Sequence, residues 1–190
     1  MRRSSLAAAA FLCAAAALAH LTPNVELVRK GDFLKQSLPG ATRFFERQLM
    51  ISGPDGAAIR RTTGWTPSEE DVKVYVGRDE KGSLIGSVVF LWMPSEHGPV
   101  GIGVAFDSQG LLLRAAVTDV GSEPLAWVRP LVSSGGMDVF ARLPTDAALD
   151  PSRVAPEVRG GMSRYYAKVI VDGVRRARAL ERLAMRSGNS

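Results

Sequence analysis

The sequence is poor in the residues that build most reactive centres. It holds one cysteine, Cys13, and two histidines, His20 and His97. A single thiol allows no internal disulfide, and without a histidine–cysteine cluster a protein-bound metal or haem site has no ligand set. There is no G-x-S-x-G turn, the usual signature of a Ser-His-Asp hydrolase on an α/β sheet. No apolar run reaches the roughly 20 residues that a bilayer-spanning helix normally needs. Low-complexity tracts and repeats of solenoid length are also missing, which argues against a repeat architecture.

What is present suits one globular domain with a modest extra segment. Of 190 residues, 46% are hydrophobic and 23% charged, a balance able to bury a core. The formal net charge is +5. Part of the basic surplus sits in "RRARALER" (175–182), where aromatics are not interleaved with the cations. That pattern reads as a solvated helix face, and no nucleic-acid partner is expected.

Residues 1–21 are set apart from the fold. Arg2 and Arg3 precede the alanine-rich run Leu6 to Ala19, and Ala17-Leu18-Ala19 has the A-x-A form of a cleavage site. This segment reads as an export signal or a membrane anchor. Either places the body outside the cytoplasm, in the periplasm or on the outer face of the cytoplasmic membrane. Cleavage would also remove the only cysteine.

Helical spacing of Val25, Leu27, Val28, Phe33 and Leu34 predicts a linker helix over 22–37, bent at Gly31 and stopped by "LPG". The domain then runs from 38 to 186, with 187–190 as a disordered tail. Strands are expected at "TRFFERQLMI" (42–51), "VKVYVGR" (72–78), "SLIGSVVFLWM" (83–93), "PVGIGVAF" (99–106) and "LLLRAAVTDV" (111–120). "GPDG" (53–56), "DEKG" (79–82) and "DSQG" (107–110) are read as turns. Ser122-Glu123-Pro124 looks like a helix start, with Pro130 ending or kinking that helix. From Ser163 to Ala184 an apolar stripe at 3–4 spacing predicts a long amphipathic helix, with Arg178, Glu181 and Arg182 on its polar faces. The expected class is α+β: a largely antiparallel sheet of four to five strands with the long C-terminal helix packed on it.

Gly160 and Gly161 stand directly before that helix. The first N–H groups of a helix have no intrahelical acceptor, and the dipole adds partial positive charge there, so a phosphate is favoured at such a point. Glycines let the backbone come close to such a ligand. Serine or glycine before an amphipathic helix is also an ordinary N-cap, and both readings stand on the local sequence.

The order of these features resembles the FMN-binding domain of electron-transfer subunits in Rnf-type and Na⁺-translocating quinone reductase complexes. The similarity covers roughly residues 38 to 183. It rests on Pro39-Gly40-Ala41, the hairpin "AFDSQGLLL", the glutamate-bearing "VGSEPLAWV", and the turn and helix "VRGGMSRYYAKVIVDGVRRA". The family's D-x-x-S-G-A-T motif falls on Glu157, Gly160, Gly161, Met162 and Ser163. Only Gly161 is identical, and serine stands in place of the flavin-accepting threonine.

The resemblance implies FMN held at Gly160, Gly161, Met162 and Ser163, esterified through its phosphate to Ser163. By the same resemblance Glu123 would meet the ring edge or ribityl hydroxyls. From their own positions beside the turn, Tyr165 is a candidate to stack on the ring, and Arg159 and Arg164 bracket the site to screen the phosphodiester. Trp127, Tyr166 and His97 are further neighbours of such a site. Membrane electron-transfer components would be the partners, and a flavin transferase would carry out maturation. The Gly160 and Met162 departures leave an alternative: a domain of the same descent that has lost its cofactor and serves as a scaffold or ligand-sensing module.

Overall fold

The computed structural model describes residues 23–67, 72–144, 146–154 and 160–186. The leader at 1–21, Glu157, Arg159 and the tail at 187–190 lie outside the described residues. Six strands form one antiparallel sheet: β1 (Asn24–Glu26), β2 (Arg43–Leu49), β3 (Val72–Arg78), β4 (Leu84–Met93), β5 (Val100–Asp107) and β6 (Leu112–Gly121). The order is β1-β6-β5-β4-β3-β2, so β2 to β6 are a meander of successive neighbours and β1 closes the far edge. Among the described residues, five α-helices accompany it: α1 (Lys30–Ser37), α2 (Gly53–Thr63), α3 (Leu125–Ser133), α4 (Pro151–Val154) and α5 (Gly161–Arg186), with one 3-10 turn at Asp138–Phe140.

The α+β class holds, with one strand more than expected. The alternation in "VKVYVGR" places Val74 and Val76 inward, and the turns at 79–82 and 107–110 form as read. Central strand β5 is buried from Val100 to Phe106 because helices cover both of its faces. On one face α5 packs with Val74, Val89, Ile102 and Val104 in the main core. On the other, Phe33 and Leu38 cover Val88, Ala105 and Ala116 in a smaller cluster.

That second cluster corrects the linker helix. Residues 24–26 are an edge strand, with Val25 opposite Val120, and only Lys30–Ser37 is helical. The N–H groups of Leu27 and Val28 both reach the Thr118 carbonyl, so the chain is tied to the sheet before the helix begins. The free edge of β6 supplies these partners, which local periodicity does not encode. With Phe33 fully buried, the segment is a layer of the domain rather than a tether.

A second correction concerns "GPDG". It opens α2 instead of forming a turn. The Ser52 hydroxyl accepts the Asp55 N–H at 3.3 Å, Pro54 sits in the first turn, and Gly64 ends the helix at φ +70°. Serine as N-cap with proline just inside is a helix start as much as a turn signal. In α3, Ser122 does not cap; Pro124 holds that position, and the helix continues through Pro130 to Ser133.

Helix α5 fixes the layout of everything else. At Gly173 it comes so close to the sheet that an added Cβ would collide with the Ile102 Cδ1 and lie 3.1 Å from the Met93 Cγ. Its last turn is held by Arg47 of β2, which donates to the Ala184 carbonyl at 2.7 Å. A cation is favourable at that end of the dipole. Two of its arginines hold the 146–150 segment: Arg175 donates to the Leu149 carbonyl at 2.6 Å and Arg178 to the Ala147 carbonyl at 2.8 Å. Arg176 lies over the Trp65 ring, 5.0 Å from its centroid.

The basic run is therefore largely structural. Arg178 and Glu181, expected on polar faces, are 8% and 2% exposed.

Candidate functional site

Strands β4 and β6 end, and β5 begins, at the same edge of the sheet as the start of α5. The β4–β5 turn and the first turn of α3 are thereby brought onto the N-terminus of α5. Four rings follow one another there. His97 lies 5.0 Å from Trp127 between centroids, Trp127 stacks on Tyr166 at 5.9 Å and 10°, and Tyr166 meets Tyr165 edge-on at 5.1 Å.

Hydrogen bonds lock this row. Ser95 donates its proton to the Gly98 carbonyl, which leaves its oxygen to accept from the Tyr166 hydroxyl at 3.2 Å. Burial is the main reason that the Tyr166 phenol is pushed above its ordinary range. The Tyr165 oxygen accepts the Glu96 N–H at 3.2 Å. His97 Nδ1 lies 2.8 Å from Glu123 Oε1, and because a carboxylate only accepts, Nδ1 carries the hydrogen. Glu123 is half exposed, so the pair orients two side chains and adds little stability.

The structure thus brings together Glu123, Trp127, Tyr165, Tyr166 and His97 with the glycine turn. Tyr166 is fully buried and belongs to the core, whereas Tyr165 is half-buried. Ser95 and Glu96 went unremarked in the sequence, where a loop serine and glutamate carry no pattern.

The turn divides into two parts. Among the described residues, an added Cβ at Gly160 or Gly161 would meet nothing within 4 Å, and both glycines that open α5 are exposed. Arg164 beside it is exposed, and Met162 is half-buried against the main core. This part fits a phosphate held by backbone amides. Ser163, by contrast, is 7% exposed and donates to the Trp127 carbonyl at 3.3 Å. Its hydroxyl faces α3, away from the open side of the turn. A change of χ1 would be needed to bring it out, at the cost of one neutral hydrogen bond, about 1 kcal/mol.

The opposite end of α5 holds a feature that sequence reading missed. A cleft of about 540 Å³ lies between α2, the β5–β6 turn and the last turns of α5, with Glu181 in its wall. Burial pushes the Glu181 carboxyl up to about 7, with Arg182 opposing the shift and Asp107 adding to it. The signal was present: Val174, Ala177, Glu181 and Ala184 are spaced by 3, 4 and 3 on the buried stripe.

Among the described residues, no group of three or more histidine, cysteine or acidic side chains could hold a metal ion, and no helix is long and apolar enough to cross a membrane. No protein-family model, curated protein or solved structure matches this chain.

Proposed function

We propose that this chain is an exported FMN-binding domain that passes electrons between membrane-associated partners, with the flavin phosphate at the glycine turn of α5. The observation that carries the reading is the convergence of an open glycine turn, an exposed arginine, a carboxylate–imidazole pair and a row of rings at the start of one 26-residue helix. The resemblance in element order and in "VGSEPLAWV" supports the same assignment. FMN, when bound, would supply one- and two-electron redox chemistry; the protein supplies anchoring and orientation.

In this reading the amides after Gly160 and Gly161 hold the phosphate, and Arg164 offsets its charge. Glu123, already fixed by His97, accepts hydrogen bonds from the ligand, and Tyr165 provides a ring face. Ser163 is the covalent acceptor. Leaving the Trp127 carbonyl costs about 1 kcal/mol, too little to block a transferase-driven reaction. A flavin transferase would join the Ser163 oxygen to the phosphorus of the FMN half of a flavin dinucleotide. The bond from that phosphorus to the nucleotide half would break, AMP would leave with the Ser163 proton, and the protein would gain FMN less one water.

One observation favours a second reading. Ser163 is nearly buried and already hydrogen-bonded, as it would be in a cofactor-free scaffold of the same descent. Intact mass of the chain exported from a host that co-expresses a flavin transferase separates the two. A gain of FMN minus water that disappears in Ser163→Ala establishes the covalent flavoprotein. Flavin released on denaturation, with the mass unchanged, keeps the flavin site and removes the ester. An unmodified chain that releases no flavin refutes the proposal.

A further inference from the structure

We infer that the cleft between α2, the β5–β6 turn and the C-terminal turns of α5 is a second ligand site, which takes a small zwitterion through a primary ammonium on Glu181 and an anionic group on Arg182 and Arg186. The site does not rest on the flavin reading. It lies 18 residues of helix from Ser163, about 27 Å at 1.5 Å per residue.

A buried carboxylate is costly unless it is paired, and Glu181 is 2% exposed yet takes part in no hydrogen bond or ion pair among the described residues. Its stripe neighbours Ala177 and Ala184 are buried and apolar. It lines a cleft of about 540 Å³, ample for a ligand of ten or so heavy atoms. An ammonium group placed there supplies the missing partner. Ile59, Ala179 and Met185 form an apolar stretch for methylenes, and Ser108 and Gln109 offer polar groups at the turn.

The charged surroundings select the rest of the ligand. Arg182 and Arg186 line the same cleft and would repel a simple cation, but they suit one that carries a negative group at its other end. Each neighbouring element contributes a charge. Asp107 of β5 reinforces the attraction for an ammonium and is itself held by the Gln109 and Leu111 N–H groups. Asp55 of α2 lies 3.9 Å from Arg186, and Arg47 of β2 is engaged with the Ala184 carbonyl. An ammonium binds the ionised carboxylate, so affinity should fall on acidification through the raised Glu181 pKa near 7.

The test is calorimetric titration of the full chain with 6-aminohexanoate, hexylammonium and hexanoate. The expected result is binding of 6-aminohexanoate ahead of both others, weakening about tenfold per pH unit below 7. Glu181→Gln should weaken it at least tenfold, and Arg182→Ala together with Arg186→Ala should abolish its advantage over hexylammonium. If Glu181→Gln does not fold, the pH profile of the unaltered chain decides. Equal binding of hexanoate, tighter binding at pH 5 than at pH 8, or no heat with any probe up to about 10 mM would overturn the inference.

Discussion

Glu181→Gln removes a buried charge without changing shape, and its effect on stability can be worked out. The carboxyl is pushed from its ordinary value of 4.5 to about 7 in the folded chain. The native state therefore binds its proton more tightly than the unfolded chain does. Below pH 4.5 both states are protonated and the site costs nothing. Between 4.5 and 7 the unfolded chain ionises first, and stability falls by about 1.4 kcal/mol per pH unit. Above pH 7 both are ionised and the loss levels off at about 3 kcal/mol.

A glutamine carries no such penalty. Against the parent, Glu181→Gln should be nearly neutral at pH 4 and more stable by about 3 kcal/mol at pH 8, with most of the change between pH 5 and 7. Urea denaturation of both proteins across that range measures the difference, and subtraction cancels the other titrating groups. A difference independent of pH, or one that grows toward acid, would refute the claim that Glu181 is buried without a partner.

Other substitutions probe the layers around α5. Gly173→Ala removes a glycine that weakens a helix by about 1 kcal/mol, but it forces Ile102 and Met93 out of place. Overpacking of 1–3 kcal/mol should win, and thermal denaturation should show a net loss of roughly 1 kcal/mol; a gain would mean that α5 lies farther from the sheet. Tyr166→Phe deletes only the hydroxyl that donates to Ser95, so a loss of about 1 kcal/mol is expected in denaturant melts, with the ring row and its near-ultraviolet dichroism kept. An undiminished midpoint would show that the bond contributes nothing.

Much of this architecture was legible because its signals are local. Alternation in "VKVYVGR", the glycine-containing hairpin turns and the 3–4 stripe of α5 each follow from backbone geometry and side-chain burial within one element. The α2 start was misread because Ser52, Gly53 and Pro54 serve a turn and a helix N-terminus equally well. The strand at 24–26 has no local mark at all. It exists because β6 offers an unpaired edge and the chain passes beside it.

The candidate sites divide along the same line. Sequence alone determined that a glycine-opened amphipathic helix follows the sheet, and which residue types sit near its start. Only the tertiary structure decided that Ser163 turns toward α3, that His97 pairs with Glu123, and that Trp127 stacks on Tyr166. Those contacts join the β4–β5 turn, α3 and α5, across sequence separations no pattern spans. Glu181 is the sharpest case. Its spacing puts it on the buried stripe, but only the packing of α2 and the β5–β6 turn shows that the space before it is a cleft. A helix fixes the direction in which a side chain points, and its neighbours fix what it meets there.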